Sequence, residues 1–356
     1  MSDRNTLRIL SLDGGGERGY LSLKFFQKFV QQWGITPSDI WKNFDVIAGT
    51  SIGGITGLGY AYGLSPDELE PFFTEEGPWL FTIRTPLDVA EGSHNASYPS
   101  NRPNRSEKVL ILGNNDQFYT SAYSDSNYGS VRFYEQLTAT FGSATLQNLK
   151  TNILIPSYRY NTNTPVLFSN VNYADFIGQN ELITNVAKAT SAAPLYLPPV
   201  DFGGNTYIDG GVYQNNPAQL ALNLAKMIKP TANRYCVLSL GTGLGKIGFD
   251  NTQPSFQTVP QLSDYPFEYA VTTLVSLFGI AMTGAQEAVS KGLYLQSEYT
   301  LDNLYYYRFQ PQLDLNINTE LDNTDPAFLA YLDTVATEWF NNDIDNISTF
   351  IGHLTA

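Results

Sequence analysis

One cysteine, Cys236, and two histidines, His94 and His353, are the whole supply of those residue types in 356 residues. A lone cysteine excludes an intrachain disulfide and suits a reducing compartment without requiring one. Basic residues are few as well. Twenty Lys and Arg stand against 34 Asp and Glu, a net charge of −14, and no basic cluster interrupts the chain. That excludes the electrostatic footprint of a nucleic-acid binder. It also denies the protein any long-range attraction to anionic membranes, so work on lipid has to begin from apolar surface, a local basic patch or a partner. No run of 18 apolar residues occurs, and the longest candidate, Tyr269 to Met282, carries Thr and Ser. Met1 to Thr6 is polar and has no secretory h-region. The expectation is a soluble, cytoplasmic protein, or one exported without a cleavable signal. Charged residues make up only 15% against 42% apolar, which calls for a packed core and not for disorder.

What is present alternates. Leu7 to Leu12 reads as a short buried strand, followed at once by Gly14-Gly15-Gly16. Leu21, Phe25, Phe26 and Phe29 then recur at helical spacing over Tyr20 to Trp33. Phe44 to Thr50 is a second apolar strand ending in a small-residue turn at Ser51. Ser65-Pro66 signals another helix start. Residues 77 to 128, rich in Asn, Ser, Pro and Tyr, read as a long loop or lid. A helix over Ser130 to Phe141 and strands at Asn152 to Tyr160 and Val166 to Val171 follow. The spacing then predicts a helix over Glu181 to Ser191, a brief strand at Tyr207-Ile208, a helix from Asn216-Pro217 to about Ile228 and a final buried strand at Tyr235 to Leu240. Gly245 to Pro266 reads as a linker, with helices at Glu268 to Gln296 and Asp325 to Leu354 beyond it. The expected fold class is therefore α/β: a mainly parallel sheet between helices up to residue 243, and a helical part over 244 to 356 packed on that core.

Gly49-Thr50-Ser51-Ile52-Gly53 follows a strand and opens an apolar helix. A sharp strand-to-helix turn strains the serine backbone and exposes its hydroxyl, and glycines two positions to either side avoid collision there. An N-cap serine in a glycine-rich turn is the plainer reading of the same residues. Gly14-Gly15-Gly16-Glu17-Arg18-Gly19 also has two uses. It fits the dinucleotide pattern, but Asp45 stands at the start of the next strand, whereas a ribose-holding acid belongs at its end. The other use is an oxyanion hole, in which consecutive glycine amides point at one spot.

A nucleophilic serine needs a base. Neither His94, in the irregular region, nor His353, near the C-terminus, follows a strand end in a positioned turn, and both read as surface residues. Asp209 closes a short strand, precedes two glycines and is the better candidate. It requires burial and a direct hydrogen bond to the hydroxyl, because an ordinary Asp, with a pKa near 3.9, is a weak base.

Asp13-Gly-Gly-Gly-Glu-Arg-Gly19, Gly49-Thr-Ser-Ile-Gly53, Ser191-Ala-Ala-Pro-Leu-Tyr-Leu-Pro-Pro199 and Asp209-Gly-Gly-Val-Tyr-Gln-Asn-Asn-Pro217 together resemble, in that order, the patatin-like phospholipases. Leu238-Ser-Leu-Gly-Thr-Gly243 looks like the closing strand of that family. The resemblance implies a three-layer α/β/α sandwich and a Ser–Asp dyad. In it Ser51 is the nucleophile, Asp209 the base, and Gly14, Gly15 and Gly16 the oxyanion loop. Arg18 either braces that loop or meets a lipid phosphate. The resemblance implies calcium-independent release of fatty acid from phospholipid or another glycerolipid, no cofactor or metal, and transient work at the membrane surface, and it leaves room for a host or small-molecule activator. Glu17 departs from the motif, standing where an apolar residue often sits. A dinucleotide-binding oxidoreductase and a non-catalytic lipid-binding or storage protein are the rival readings.

Overall fold

In a computed structural model, which describes residues 5–81, 129–194, 196–245, 267–299 and 303–356, strand β1 (Thr6–Leu12) is buried along its length. Its side chains divide by turns. Leu7 and Ile9 join one apolar cluster, Leu10 and Leu12 the other. The same parity holds in β2 (Val46–Gly49), where Ile47 faces away from Val46 and Ala48. It holds again in β7 (Arg234–Leu240), where Cys236 and Leu238 oppose Tyr235 and Val237. A period of two with both faces buried is the mark of a parallel sheet covered by helices on each side.

Parallel pairing runs β3 (Asn152–Arg159), β2, β1, β7, β8 (Leu304–Phe309). Antiparallel β4 (Thr164–Phe168) and β6 (Asn205–Asp209) both pair with β3, and β5 (Val200–Phe202) pairs with β6. Helices α1 (Gly19–Trp33), α2 (Ile52–Tyr62), α3 (Gly129–Phe141) and α4 (Ile183–Ser191) send side chains into the larger cluster. Helices α5 (Ala218–Ile228) and α6 (Phe267–Tyr299) pack on the other face. The result is the three-layer α/β/α sandwich expected from the sequence. Helices α7 (Pro326–Asn342) and α8 (Ile344–Thr355) return to the α1 side.

Two expectations change. Tyr235–Leu240 is not the last strand, because β8 lies within the part read as helical and extends the sheet beside β7. A boundary at 243 would therefore cut the sheet. Phe309 of β8 stacks on Phe25 of α1 with ring centroids 4.0 Å apart, and fully burying a side chain of that size stabilises by roughly 1.5–3 kcal/mol. The second change is direction. The strand ending at Asp209 is antiparallel to β3, with Asp209 opposite Ser157. Of the region read as a lid, Gly77–Leu80 is a short helical turn, and 82–128 lie outside the described residues, as does most of the 245–266 linker.

Candidate active site

Register brings the glycine loop and the serine turn together. Leu12 at the end of β1 pairs with Gly49 at the end of β2, so Asp13-Gly14-Gly15 and Thr50-Ser51 leave the same edge of the sheet side by side. Ser51 is the N-cap of α2 and holds φ 56 and ψ −128, a conformation that L residues adopt only under strain. Its N–H donates to Thr190 Oγ1 at 3.0 Å, and that hydroxyl donates to the Pro156 carbonyl at 2.7 Å. Side chains at Gly49 or Gly53 would collide, the first with the backbone of Gly53 and the second with the Leu12 and Asp13 carbonyls. This crossing of backbones is the physical content of the G-x-S-x-G spacing.

Asp209 reaches the turn from β6. Its N–H donates to the Ala192 carbonyl at 2.9 Å, and its Oδ1 accepts the Gly211 N–H at 2.6 Å. Ser51 and Asp209 line the same cavity, and the Ser51 side chain acts on the Asp209 carboxylate. It is only 1% exposed. Burial pushes its pKa from 3.8 to about 7, against the lowering effect of the hydrogen bonds from Ser51 and Gly211. A carboxylate of that basicity, within hydrogen-bond reach of a hydroxyl, can take its proton near neutral pH.

The three glycines differ in role. Gly14 N–H is committed to the Asn215 carbonyl at 3.1 Å. It is therefore unavailable as an oxyanion donor, which corrects the expectation that Gly14 to Gly16 all contribute. Gly15 and Gly16 line the cavity beside Ser51 and Asp209, and their amides make no hydrogen bond among the described residues. The same is true of Ile52 N–H, an orphan amide of the first helical turn beside Ser51. Cβ atoms at Gly15 and Gly16 would run into Thr242 and Leu321. The cavity measures about 50 Å³, and Ile55, Phe72, Leu80, Phe133, Leu197 and Met282 make its wall largely apolar.

A family model described as patatin-like phospholipase matches residues 10–222, which contain every residue of the turn, the loop and the carboxylate. The chain belongs to that family. Patatin-like relatives include the cGAMP-activated phospholipase of Vibrio cholerae, 31% identical over 229 residues, covering 62% of this chain and 58% of that protein. Patatin-like protein 2 of Arabidopsis thaliana is 30% identical over 270 residues, covering 67% of this chain and 60% of the plant protein. Calcium-independent phospholipase A2-gamma of Mus musculus is 29% identical over 275 residues, 72% of this chain but 31% of the mouse protein. The chain thus spans less than two thirds of each of these relatives. The crystal structure of VipD from Legionella pneumophila aligns at 14% identity with a TM-score of 0.45, covering 98% of this chain and 67% of that one.

In this patatin-like chain the remaining candidates fall into place. Arg18 does not line the cavity. Its N–H donates to the Gly15 carbonyl at 3.2 Å, its guanidinium packs against Gly245, and burial lowers its pKa to about 10. Of its two expected roles, bracing the loop fits this position. Glu17 is buried on the cavity wall with its carboxylate over Gly77. Asp45 accepts from Arg8 N–H at 2.8 Å near the amino end of β1, away from the glycine loop, which leaves a ribose no acid there. His353 is only partly exposed. It stacks on Tyr305 at 3.9 Å between ring centroids and meets Arg234 at 3.3 Å. Those partners begin β8 and β7, at the opposite edge of the sheet from Ser51. His94 lies outside the described residues. No group of three or more His, Cys, Asp or Glu placed to hold a metal occurs among the described residues.

Sequence reasoning missed the residues that hold the loop. Asp13 Oδ2 pairs with Arg308 Nη2 at 2.6 Å, and Arg308 Nη1 donates to Ser239 Oγ at 2.9 Å. Thr242 Oγ1 and Asn215 Nδ2 each donate to the Gly14 carbonyl at 3.1 Å. Asn215 and Thr242 stood within quoted motifs, whereas nothing local to Arg308 marks it.

Proposed function

We propose that the chain is a lipid acyl hydrolase of the phospholipase A or lysophospholipase type, calcium-independent, which cleaves carboxylic esters of glycerolipids through an acyl-Ser51 intermediate. The observation that carries this reading is the buried Asp209 carboxylate lining one cavity with the strained Ser51 turn. As Ser51 Oγ bonds to the ester carbonyl carbon, its proton passes to Asp209. The carbonyl electron pair becomes an oxyanion facing the Gly15, Gly16 and Ile52 amides. Collapse breaks the bond to the alcohol, which leaves with the proton held on Asp209. Water then gives a proton to Asp209 and attacks the acyl carbon. Fatty acid departs, and the proton returns to Ser51.

The substrate class follows from the wall. A cavity lined mainly by apolar side chains suits an acyl chain. Phe278 and Met282 of α6 line it, while Leu277 and Ile280 of the same turns are 49% and 40% exposed. That apolar patch beside the entrance supports transient docking on a lipid surface, which the net charge of −14 does not assist. The reading carries a location with it: cytoplasmic and peripheral at membranes, or outside the cell by a route without a cleavable signal.

The test is release of labelled fatty acid from phosphatidylcholine vesicles, with excess EDTA or with calcium. Equal, Ser51-dependent release in both arms supports the proposal. Release that needs calcium removes the subtype. Lipid binding that persists without any release favours a storage protein. An arm with cGAMP asks whether the activation named for the Vibrio relative extends to this chain.

A further inference from the structure

A trans peptide points its carbonyl and the following N–H in opposite directions. Whatever holds the Gly14 carbonyl therefore aims the Gly15 amide. Two donors hold it, Asn215 Nδ2 and Thr242 Oγ1, both at 3.1 Å. Asn215 Nδ2 has a second hydrogen, and it goes to Gln286 Oε1 at 2.7 Å. Gln286 is 4% exposed and Asn215 2%, so water does not compete for either bond, and losing one leaves a buried polar group unsatisfied. Gln286 belongs to α6, outside the residues 10–222 matched by the family model. It lies one turn from Met282 on the cavity wall. One turn further on, Ser290 accepts from Asn216 at 3.4 Å, so α6 grips both asparagines of the 209–217 segment.

We infer that Gln286 is a positioning residue for the oxyanion hole, acting through Asn215 on the Gly14–Gly15 peptide. Gln286 touches neither nucleophile nor base. It fixes the amide of Asn215 in the orientation that donates to the Gly14 carbonyl, and so keeps the Gly15 N–H turned toward the ester oxygen. Helix α6 then does two jobs from one face, walling the acyl chain with Met282 and setting the donor that meets its carbonyl. This inference rests on the acyl-hydrolase reading above.

The test compares wild type with Gln286→Met, which keeps length and volume but loses the acceptor, and with Gln286→Glu, which keeps an oxygen facing Asn215. Turnover of a p-nitrophenyl ester gives kcat and KM separately, and a fluorophosphonate gives the rate of Ser51 capture. Gln286→Met is expected to lower kcat by about 10-fold to 100-fold, less than complete removal of an oxyanion donor costs. KM should stay within about two-fold of wild type, and fluorophosphonate capture should slow in step with kcat. Gln286→Glu should recover most of the loss. Wild-type kcat in Gln286→Met overturns the inference. So does a change confined to KM, or a Glu variant no better than Met. Should Gln286→Met fail to fold, Gln286→Ser, which leaves room for water, repeats the comparison with the same outcomes. A wild type with no Ser51-dependent turnover overturns the parent reading and this inference together, whereas an active wild type matched by Gln286→Met overturns this inference alone.

Discussion

Asp209 and Ser51 line one cavity, and the Ser51 side chain acts on a carboxylate that is buried, with no imidazole among the described residues lining that cavity. The consequences differ from those of a histidine-based hydrolase, beginning with pH. Burial holds the Asp209 pKa at about 7, and only the ionised form accepts a proton. The kcat/KM of the free enzyme should therefore rise through about pH 7 and level off above it. A profile measured on a neutral ester from pH 5 to 9 checks this, and a flat profile through pH 7 would contradict it.

The same burial has a cost in stability. The folded pKa of about 7 lies above the ordinary 3.8, so this group's contribution is fully present below pH 3.8 and is lost as pH rises through 7. Asp209→Asn cannot ionise and keeps an oxygen for the Gly211 N–H. It should be inactive yet melt higher than wild type, by an amount of order a few kcal/mol at pH 8. The gap should widen from pH 5 to about 7 and stay level above. Thermal melts at pH 5, 7 and 9 show whether it does.

Arg308 neutralises Asp13 beneath the oxyanion loop. Asp13 is itself raised to about 6, by burial first, with Arg308 pulling the other way. Removing the arginine strands a buried carboxylate, which typically costs about 3–5 kcal/mol. Arg308→Met should lose about that much stability at pH 8, and less at pH 5, where Asp13 takes up a proton. Urea unfolding at the two pH values measures the difference.

The C-terminal part is not separable, because β8 supplies both a strand and Arg308 to the core. A chain ending at residue 245 should be insoluble, with the long edge of β7 laid open. Expression of that fragment beside the full chain tests it, and a soluble, active fragment would refute the assignment.

Much of this site is legible in the sequence, for a local reason. The glycine loop, the serine turn and Asp209 are each written within a few neighbouring residues whose sterics demand them. Gly49 is required by the backbone of Gly53 within the same motif, whereas Gly53 is required by the close approach of Leu12 and Asp13. Strand β8 was not legible. Leu304–Phe309 is short and nearly continuous in apolar and aromatic residues, because both of its faces are covered, and such a run carries no period to distinguish strand from helix. The antiparallel course of β6 escaped because strand direction depends on a partner 50 residues away, Tyr158 against Ile208. Separation along the chain likewise hid the commitment of Gly14 N–H to Asn215 and the placement of His353 at the far edge. Composition suggested a solvated histidine, and stacking on Tyr305 gave it a structural role.

The central claim is a serine that works through a carboxylate. Four single variants, each verified as folded, test it most directly on a short-chain ester and on phospholipid vesicles. Ser51→Ala and Asp209→Ala should each lower kcat by about 10³-fold or more, while His94→Ala and His353→Ala stay within about two-fold of wild type. Retained turnover in either of the first pair, or its loss in a folded histidine variant, would contradict the account.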